Sequence, residues 1–495
     1  MLNENSTFDA TKSHLGNVNS PNPDRVSQVK ELPKHLTAFI PSNLNLDELL
    51  LNNPPNFKYD KDNFIYLMDL IYKMSGKQKK DDYSFYSTPY SRLMQNRVRL
   101  YDKHLAYLVN HGILDTDSQY IVGKKSIGFA FSVNYSTELK ETRITNPKLI
   151  KKILKFYKSD TKEKPILDNE DIELNYLYKW LENGKLRIDY KLAKQYLKDL
   201  FLIERNTFTE TKEYKKLSKS KDFNFQQYKR MVAYQKYNSR LRVLKLFHKG
   251  TFNARLDKTA GRLHSTLTQL KSDLRQFITY DGLSLVATDI TNSQPYLLST
   301  IISSKNLEKN NILNIIKLYN PKFNNQASFP IMLAKMVKQI EDKEDVAKYL
   351  NTINNGNFYE EFGKLIDIEN RKVVKNCLFS SIFSPNQLNS HIEGIKHFKK
   401  EFPNVFKVIT KIKHGKGYHR ALACTLQHFE ANLILHKACK KIYDINPKVP
   451  IFTLHDSIIT TSQYQSLVNC IMSEVLTEAI GFPPKFKIEK WERVA

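Results

Sequence analysis

Cysteine is scarce, and its placement excludes two architectures. The four thiols, Cys377, Cys424, Cys439 and Cys470, form no Cys-x-x-Cys pair. Neither a disulfide framework nor a zinc knuckle is expected, and the pattern fits a reducing compartment. Long apolar runs are missing as well: none approaches the ~18 residues a membrane span requires, and mean hydropathy is −0.50. The polar opening segment carries Glu4 and Asp9, unlike a secretory signal or an acid-poor transit peptide. These absences predict a cytoplasmic chain with no membrane partner. The phosphate loop of nucleotide-binding folds is absent too, because Ser75-Gly76-Lys77 is preceded by Ile71 where that loop needs glycine. No internal repeat is visible.

Acidic residues are in deficit, and the surplus of the other sign is informative. Asp and Glu total 51 against 77 Lys and Arg, a formal net charge of +26. A polyanionic partner explains such a surplus, since each neutralised phosphate releases condensed counterions. Part of the lysine excess accompanies abundant Asn and Ile, the compositional mark of AT-rich coding. The 495 residues allow two to four domains.

Along the chain, residues 1–57 are rich in Asn, Ser, Pro and Asp and read as a flexible tail, with one short amphipathic piece at 44–51. Residues 58–137 show helical apolar spacing twice. Gly112 then stops a helix, and a basic hairpin is expected around Gly-Lys-Lys-Ser at 123–126. Helix, helix and hairpin resemble a winged helix-turn-helix module, a shape that serves DNA or protein contact. Residues 138–256 are lysine-dense and helical, with Tyr and Phe interleaved, which suits contact with phosphates and bases. Each such stretch also reads as an ordinary amphipathic helix with a solvated face. Beyond residue 257, short β-like runs alternate with long helices, predicting an α+β catalytic body.

Two apolar runs each carry an aspartate: LVATDITNSQPYLL with Asp289 and PIFTLHDSIITT with Asp456. Two carboxylates on neighbouring strands are a simple way to hold a pair of divalent cations for nucleotidyl transfer, and Mg²⁺ prefers oxygen ligands. Alone, a strand-end aspartate is more often a turn cap. Between them lies NRKVVKNCLFSSIF, where Arg371, Lys375, Phe379 and Phe383 recur every four residues. That spacing lines one stripe of a helix. Two cations followed by two aromatics suit a triphosphate at one end and a stacked base at the other, and Lys375 is a candidate proton donor to pyrophosphate. Two core phenylalanines on an amphipathic helix would leave the same trace.

The order Asp289, then Arg371, Lys375, Phe379 and Phe383, then His455-Asp456, resembles motifs A, B and C of family A (DNA polymerase I-like) polymerases, relatives of the single-subunit RNA polymerases. TAGRLHSTLTQL at 259–270 resembles the segment of that family that contacts primer and template, with Arg262 as the matching arginine. The stretch through Gln427 resembles the approach to the palm helix whose glutamine reaches the duplex. GFPPKFKIEKW resembles the closing palm strand. The likeness covers about residues 250–495.

It implies a right-hand polymerase: thumb-like 138–256, palm 257–300 with motif A, fingers 301–395 with motif B, and palm 396–495 with motif C. By resemblance, Asp289 and Asp456 bind two Mg²⁺, with Mn²⁺ as the alternative ion. Arg371 and Lys375 bind the triphosphate, and Phe379 and Phe383 lie near the incoming base. His455 contacts the primer terminus, and Arg262 and Gln427 the minor groove. The implied partners are a primer-template duplex and dNTPs or NTPs, with a replication partner for the N-terminal module.

Departures bear on product. His455-Asp456-Ser457 replaces the His-Asp-Glu usual in DNA polymerases and matches single-subunit RNA polymerases. Gln294 stands where DNA polymerases place a ribose-excluding glutamate. Phe383 replaces tyrosine, and Ser384 the glycine that follows it. Phe379 and the Gly-Arg-Leu-His-Ser segment favour DNA synthesis. A DNA polymerase is the first expectation; an RNA polymerase, a primase-like enzyme, an untemplated tailing enzyme or a non-catalytic replication initiator are the alternatives.

Overall fold

The structure, a computed structural model, describes residues 32–75, 86–118, 120–121, 126–155, 174–207, 214–215, 218–219, 224–321, 328–415 and 417–493. Helices and antiparallel strands are mixed, as an α+β chain requires. Among the described residues, no helix is long and apolar enough to cross a membrane.

The first element is strand β1 (Leu36–Pro41), and it overturns the expectation of a flexible tail as far as residue 57. Ala38, Phe39 and Ile40 are buried, and the Asp69 carboxylate accepts the Phe39 N–H at 3.2 Å. The surrounding Pro and Asn masked the six-residue strand Leu-Thr-Ala-Phe-Ile-Pro. Residues 1–31 of that tail lie outside the described residues. Helices α1 (Leu46–Asn52), α2 (Lys61–Ser75), α3 (Ser91–Gln95) and α4 (Tyr101–Asn110) follow. Gly112, at φ 67, ends α4 in a left-handed turn open to glycine. The chain then enters β2 (Leu114–Thr116), paired with β3 (Phe129–Phe131). The strands therefore pair outside the expected ones, with Thr116 opposite Phe129; of the turn expected at 123–126, residues 123–125 lie outside the described residues. Strand β4 (Leu139–Ile144) returns to pair with β1.

Next come α5 (Pro147–Lys155), α6 (Asn175–Glu182), β5 (Leu186–Ile188), α7 (Tyr190–Asn206) and α8 (Phe225–His248). Residues 138–256 are thus not one helical unit, because β5 pairs with β8 (Ile278–Tyr280) in the main sheet. That exchange is long-range, so no local pattern announces it. Arg240 of α8 grips Glu204 of α7 through two hydrogen bonds of 2.8 and 2.9 Å. On its other side α8 holds the N-terminal module: Arg242 donates to both oxygens of buried Asp69 at 2.8 and 2.6 Å.

A ribbon of β6 (Arg255–Leu256) and β7 (Leu263–His264) precedes α9 (Thr266–Gln269). The main sheet runs β10 (Phe452–Leu454), β11 (Ser457–Thr461), β9 (Leu283–Ile290), β8, β5, and β12 (Phe486–Trp491) flanks β9 as well. Helix α10 (Ser293–Leu298) leaves β9 for a helical block. That block contains α11 (Ser304–Lys309), α12 (Ile312–Tyr319), α13 (Ser328–Ile340), α14 (Glu344–Asn354), α15 (Phe358–Leu365), α16 (Arg371–Phe383), α17 (Glu393–Glu401) and α18 (Pro403–Ile412). Its centre is aromatic, with Tyr349, Phe358, Phe362, Phe398 and Phe402 buried together. Helix α19 (Ala421–Ala431) continues as a π-helical stretch, Asn432–Cys439, into α20 (Lys440–Ile445). Helix α21 (Gln465–Ile480) packs under the sheet, where Thr288 donates to Asn469 at 2.6 Å.

Candidate active site

The site begins with strand parity. Thr288 faces α21, so its neighbour Asp289 points to the opposite face. Directly beside Asp289 in the ladder stand Ser457 of β11 and Lys487 of β12. β10 and β11 are joined by a two-residue turn, His455-Asp456, closed by the Leu454–Ser457 pair. His455 sits at φ 58, a left-handed position uncommon for a residue with a β-carbon. Sheet register thus brings together the two aspartates that lie far apart in sequence.

Their electrostatics follow from that closeness. Burial first, and then the charge of Asp456, raise the Asp289 carboxyl; a hydrogen bond from Ser457 and the charges of Lys487 and Lys375 pull the other way. Ser457 Oγ donates directly to Asp289 Oδ1. The two neighbouring carboxylates are both half-buried, and carboxylate oxygens are the donors that a hard divalent cation takes. Among the described residues, no group of three or more His, Cys, Asp and Glu side chains forms a metal cluster. Two carboxylates suffice for Mg²⁺, which usually keeps several waters and takes further oxygens from substrate phosphates. The donor chemistry therefore fits.

Helix α16 approaches from the helical block. Asn370 caps it, accepting the N–H of Lys372 and Val373. Arg371 pairs with Glu360 at 2.7 Å and lies 4.9 Å over the Tyr359 ring. Lys375 lies 5.2 Å over Phe379 and 5.9 Å over Tyr359. The rings of Phe379 and Phe383 stand 5.2 Å apart, and both pack partly buried against the core. The stripe is therefore real, and it is also core. The far end of α16 is pinned by Lys413, buried, whose Nζ donates to the carbonyls of Ser381 at 2.6 Å and Ser384 at 3.0 Å.

On the other flank lies the turn between β6 and β7. Its six residues wrap Asp257, whose carboxylate accepts the N–H of Thr259 and Ala260 at 2.8 Å and of Arg262 at 3.0 Å. His264 rests edge-on to His455, with ring centroids 5.6 Å apart. Burial, then the charges of Arg262 and His264, pull His455 down to about 4, leaving the ring neutral near pH 7, and its Nδ1 is buried without a partner. Arg262 donates from Nη2 to Glu430 at 2.8 Å. Gln294 donates to the same carboxylate at 3.0 Å. Gln427 lies one turn before Glu430 on α19, half-buried.

Asp289 and Asp456 thus come together at the sheet, Arg262 and Gln294 share Glu430, and Arg371, Lys375, Phe379 and Phe383 line one helix. Several others were missed. Glu430 had one visible sign: it is the only acidic residue between Glu401 and Asp444, set in an apolar helix. Lys487 required knowledge of which strand flanks β9. Tyr359 is buried under Arg371 and within the field of Asp456. Arg275, from the 3₁₀ turn Ser272–Phe277, lies 5.7 Å over Trp491 with Nε buried and unpartnered. Nothing in the sequence near these two marked them.

Comparisons with known proteins add little. No protein-family model matches the chain, and no curated protein does. Among solved structures, the chain is similar to the POL domain of Pol1 from M. smegmatis, determined in complex with DNA primer-template and dNTP. Identity is 10% and the TM-score 0.40, over 64% of this chain and 69% of that one. So distant a likeness leaves the functional reading to the residues themselves.

Proposed function

We propose that the protein is a template-directed nucleic-acid polymerase, with DNA as the first product to test. The observation that carries this reading is the Asp289–Asp456 pair, Asp289 on β9 and Asp456 in the turn that leads into the adjoining β11, with Lys375 of α16 close enough to act on Asp289. In this reading the sheet around β9 is the palm, α11 to α16 lie in the fingers, and α7 with α8 is the thumb. The two aspartates hold divalent cations, Mg²⁺ or Mn²⁺, which neutralise phosphate charge and activate the attacking hydroxyl. Arg371 and Lys375 draw the triphosphate towards the sheet, and Lys375 gives a proton to departing pyrophosphate. Phe379 and Phe383 offer a ring surface to the incoming base. Neutral His455, beside Asp456, orients the primer end. Catalysis rests on positioning and charge neutralisation.

The N-terminal module serves nucleic acid through α5 rather than α4. The exposed residues of α4 are Asp102, Lys103, Ala106 and Asn110, whereas those of α5 include Lys148, Lys151, Lys152 and Lys155. The apolar side of α5, Leu149, Ile150 and Ile153, is buried, so this helix offers charge and no membrane-inserting face.

The test is extension of a labelled primer on a template with Mg²⁺, in separate dNTP and NTP lanes. Asp456→Asn is expected to reduce extension by about 100- to 1,000-fold or more while duplex binding persists. Template-matched products in the NTP lane alone would favour the RNA-polymerase alternative. No product in any lane, with tight duplex binding, would move the assignment to a non-catalytic initiator.

A further inference from the structure

Glu430 enters the site from a helix whose neighbouring side chains are apolar: Leu426, Phe429, Ala431 and Leu433 are all buried. Its own side chain is 1% exposed. A carboxylate placed so deep persists only when paired and hydrogen-bonded. Arg262 Nη2 supplies the pairing, 2.6 Å from Oε1 and 2.8 Å from Oε2. Gln294 supplies a second hydrogen bond, at 3.0 Å. These side chains come from three separate segments: the β6–β7 turn, the helix that follows Asp289, and α19. Burial raises the Glu430 carboxyl, the Arg262 guanidinium pulls it down, and the nearby charges of Asp456 and Asp289 raise it further, so the pairing with Arg262 is what favours its ionised form.

The hydrogen bonds leave a specific residue of unused groups. Arg262 Nε and Gln294 Oε1 are buried without a partner, and Glu430 Oε1 is buried without a hydrogen bond, its contact with Arg262 being the ion pair alone. Glu430 therefore holds the guanidinium by one nitrogen only, Nη2. The fork is fixed in direction; Nε stays buried, so a ligand would reach the guanidinium through the part of the side chain that is exposed, 18%. An arginine used as a fork, rather than as a point charge, depends on such aiming. Gln294 is occupied on its amide side, so it acts on Glu430 before it acts on any sugar.

We propose that Glu430 is a positioning residue that aims Arg262 at an acceptor on the bound primer-template, with Gln294 locking the carboxylate in place. The proposal rests on the polymerase reading for the identity of the nucleic acid, and it concerns binding rather than the chemical step.

The experiment is a double-mutant cycle on primer-template affinity, read by anisotropy of a labelled duplex, with extension kinetics alongside. Glu430→Gln is expected to weaken duplex binding about tenfold in the wild-type background and to have no further effect in Arg262→Ala. In extension assays the loss falls on KM for primer-template, with kcat largely kept. Equal weakening in both backgrounds, or none in either, overturns the proposal. If Glu430→Gln does not fold, Arg262→Lys gives the same reading: it keeps the cation and loses the fork, and wild-type affinity in that variant also overturns the proposal. Failure of the wild-type protein to extend any primer, with the coupling intact, would sink the polymerase reading and leave the positioning role standing.

Discussion

Asp257 shows how one carboxylate organises a tight turn. Burial opposes its ionisation, but the hydrogen bond from His264 and the backbone N–H groups of Ala260 and Thr259 outweigh it and hold the carboxyl well below its ordinary range. A carboxyl lowered by folding stabilises the protein above its unfolded value, ~4, and that contribution is lost as pH falls towards the folded value. Asp257→Asn keeps the shape and removes the charge. It is expected to lower stability at pH 7 and to narrow the gap to wild type below pH 4, followed by urea unfolding between pH 3 and 7. A gap that stays constant would show that charge is not the reason for the turn's stability. The same substitution should weaken duplex binding, since the turn carries Arg262.

At the scale of elements, α16 depends on a cation at its C-terminal end. Lys413 satisfies carbonyls that the helix leaves unpaired and complements the negative end of its dipole. Lys413→Met should cost about 1–3 kcal/mol by orphaning these carbonyls, measured by chemical denaturation, and should raise KM for the nucleotide by loosening the helix that carries Arg371 and Lys375. Burial pulls Lys413 down to about 8. A lysine lowered by folding sheds its proton first in the folded protein, so stability from this group rises between pH 8 and its unfolded value of ~10.4. Wild type should therefore gain on Lys413→Met from pH 8 to 10. The segment that follows β9 and the helical block also meet at Gly356, at φ 80, whose carbonyl accepts from Asn292 at 2.8 Å. A β-carbon there would stand 2.6 Å from Lys485 Cγ, so Gly356→Ala is a clash as well as a strained turn.

Across the whole molecule, the N-terminal module is bound firmly to α8. Beside the Asp69–Arg242 pair, Gln235 donates to Ser75 at 2.6 Å and Ser87 at 3.0 Å, and Asn238 to the Thr137 carbonyl at 2.7 Å. Arg242→Met should cost about 3–5 kcal/mol, because it leaves a buried carboxylate unpaired. Thermal unfolding should then split into two transitions; a single transition at unchanged temperature would mean that the pair does not join the two parts. Net charge of +26 sets the ionic behaviour of the whole. Contact with six to ten phosphates should weaken duplex binding by about 10³–10⁵ between 50 and 200 mM salt. Replacing the α5 lysines with glutamine should flatten that slope without altering nucleotide KM.

Much of this was legible in the chain before any fold was known. Asp289 and Asp456 each lay in a β-favouring run, and the period of four through Arg371 to Phe383 marked a helical stripe. Such signals are local: residue type, spacing and composition carry them. What only the tertiary structure decided is company. The register of β9 with β11 and β12 set Ser457 and Lys487 beside Asp289, and a strand from 186–188 joined the same sheet. Glu430 met Arg262 across 168 positions, and Phe39 left a Pro- and Asn-rich stretch for the core. Local sequence specifies what a side chain can do, whereas its partners follow from chain crossings that bury apolar surface over long separations.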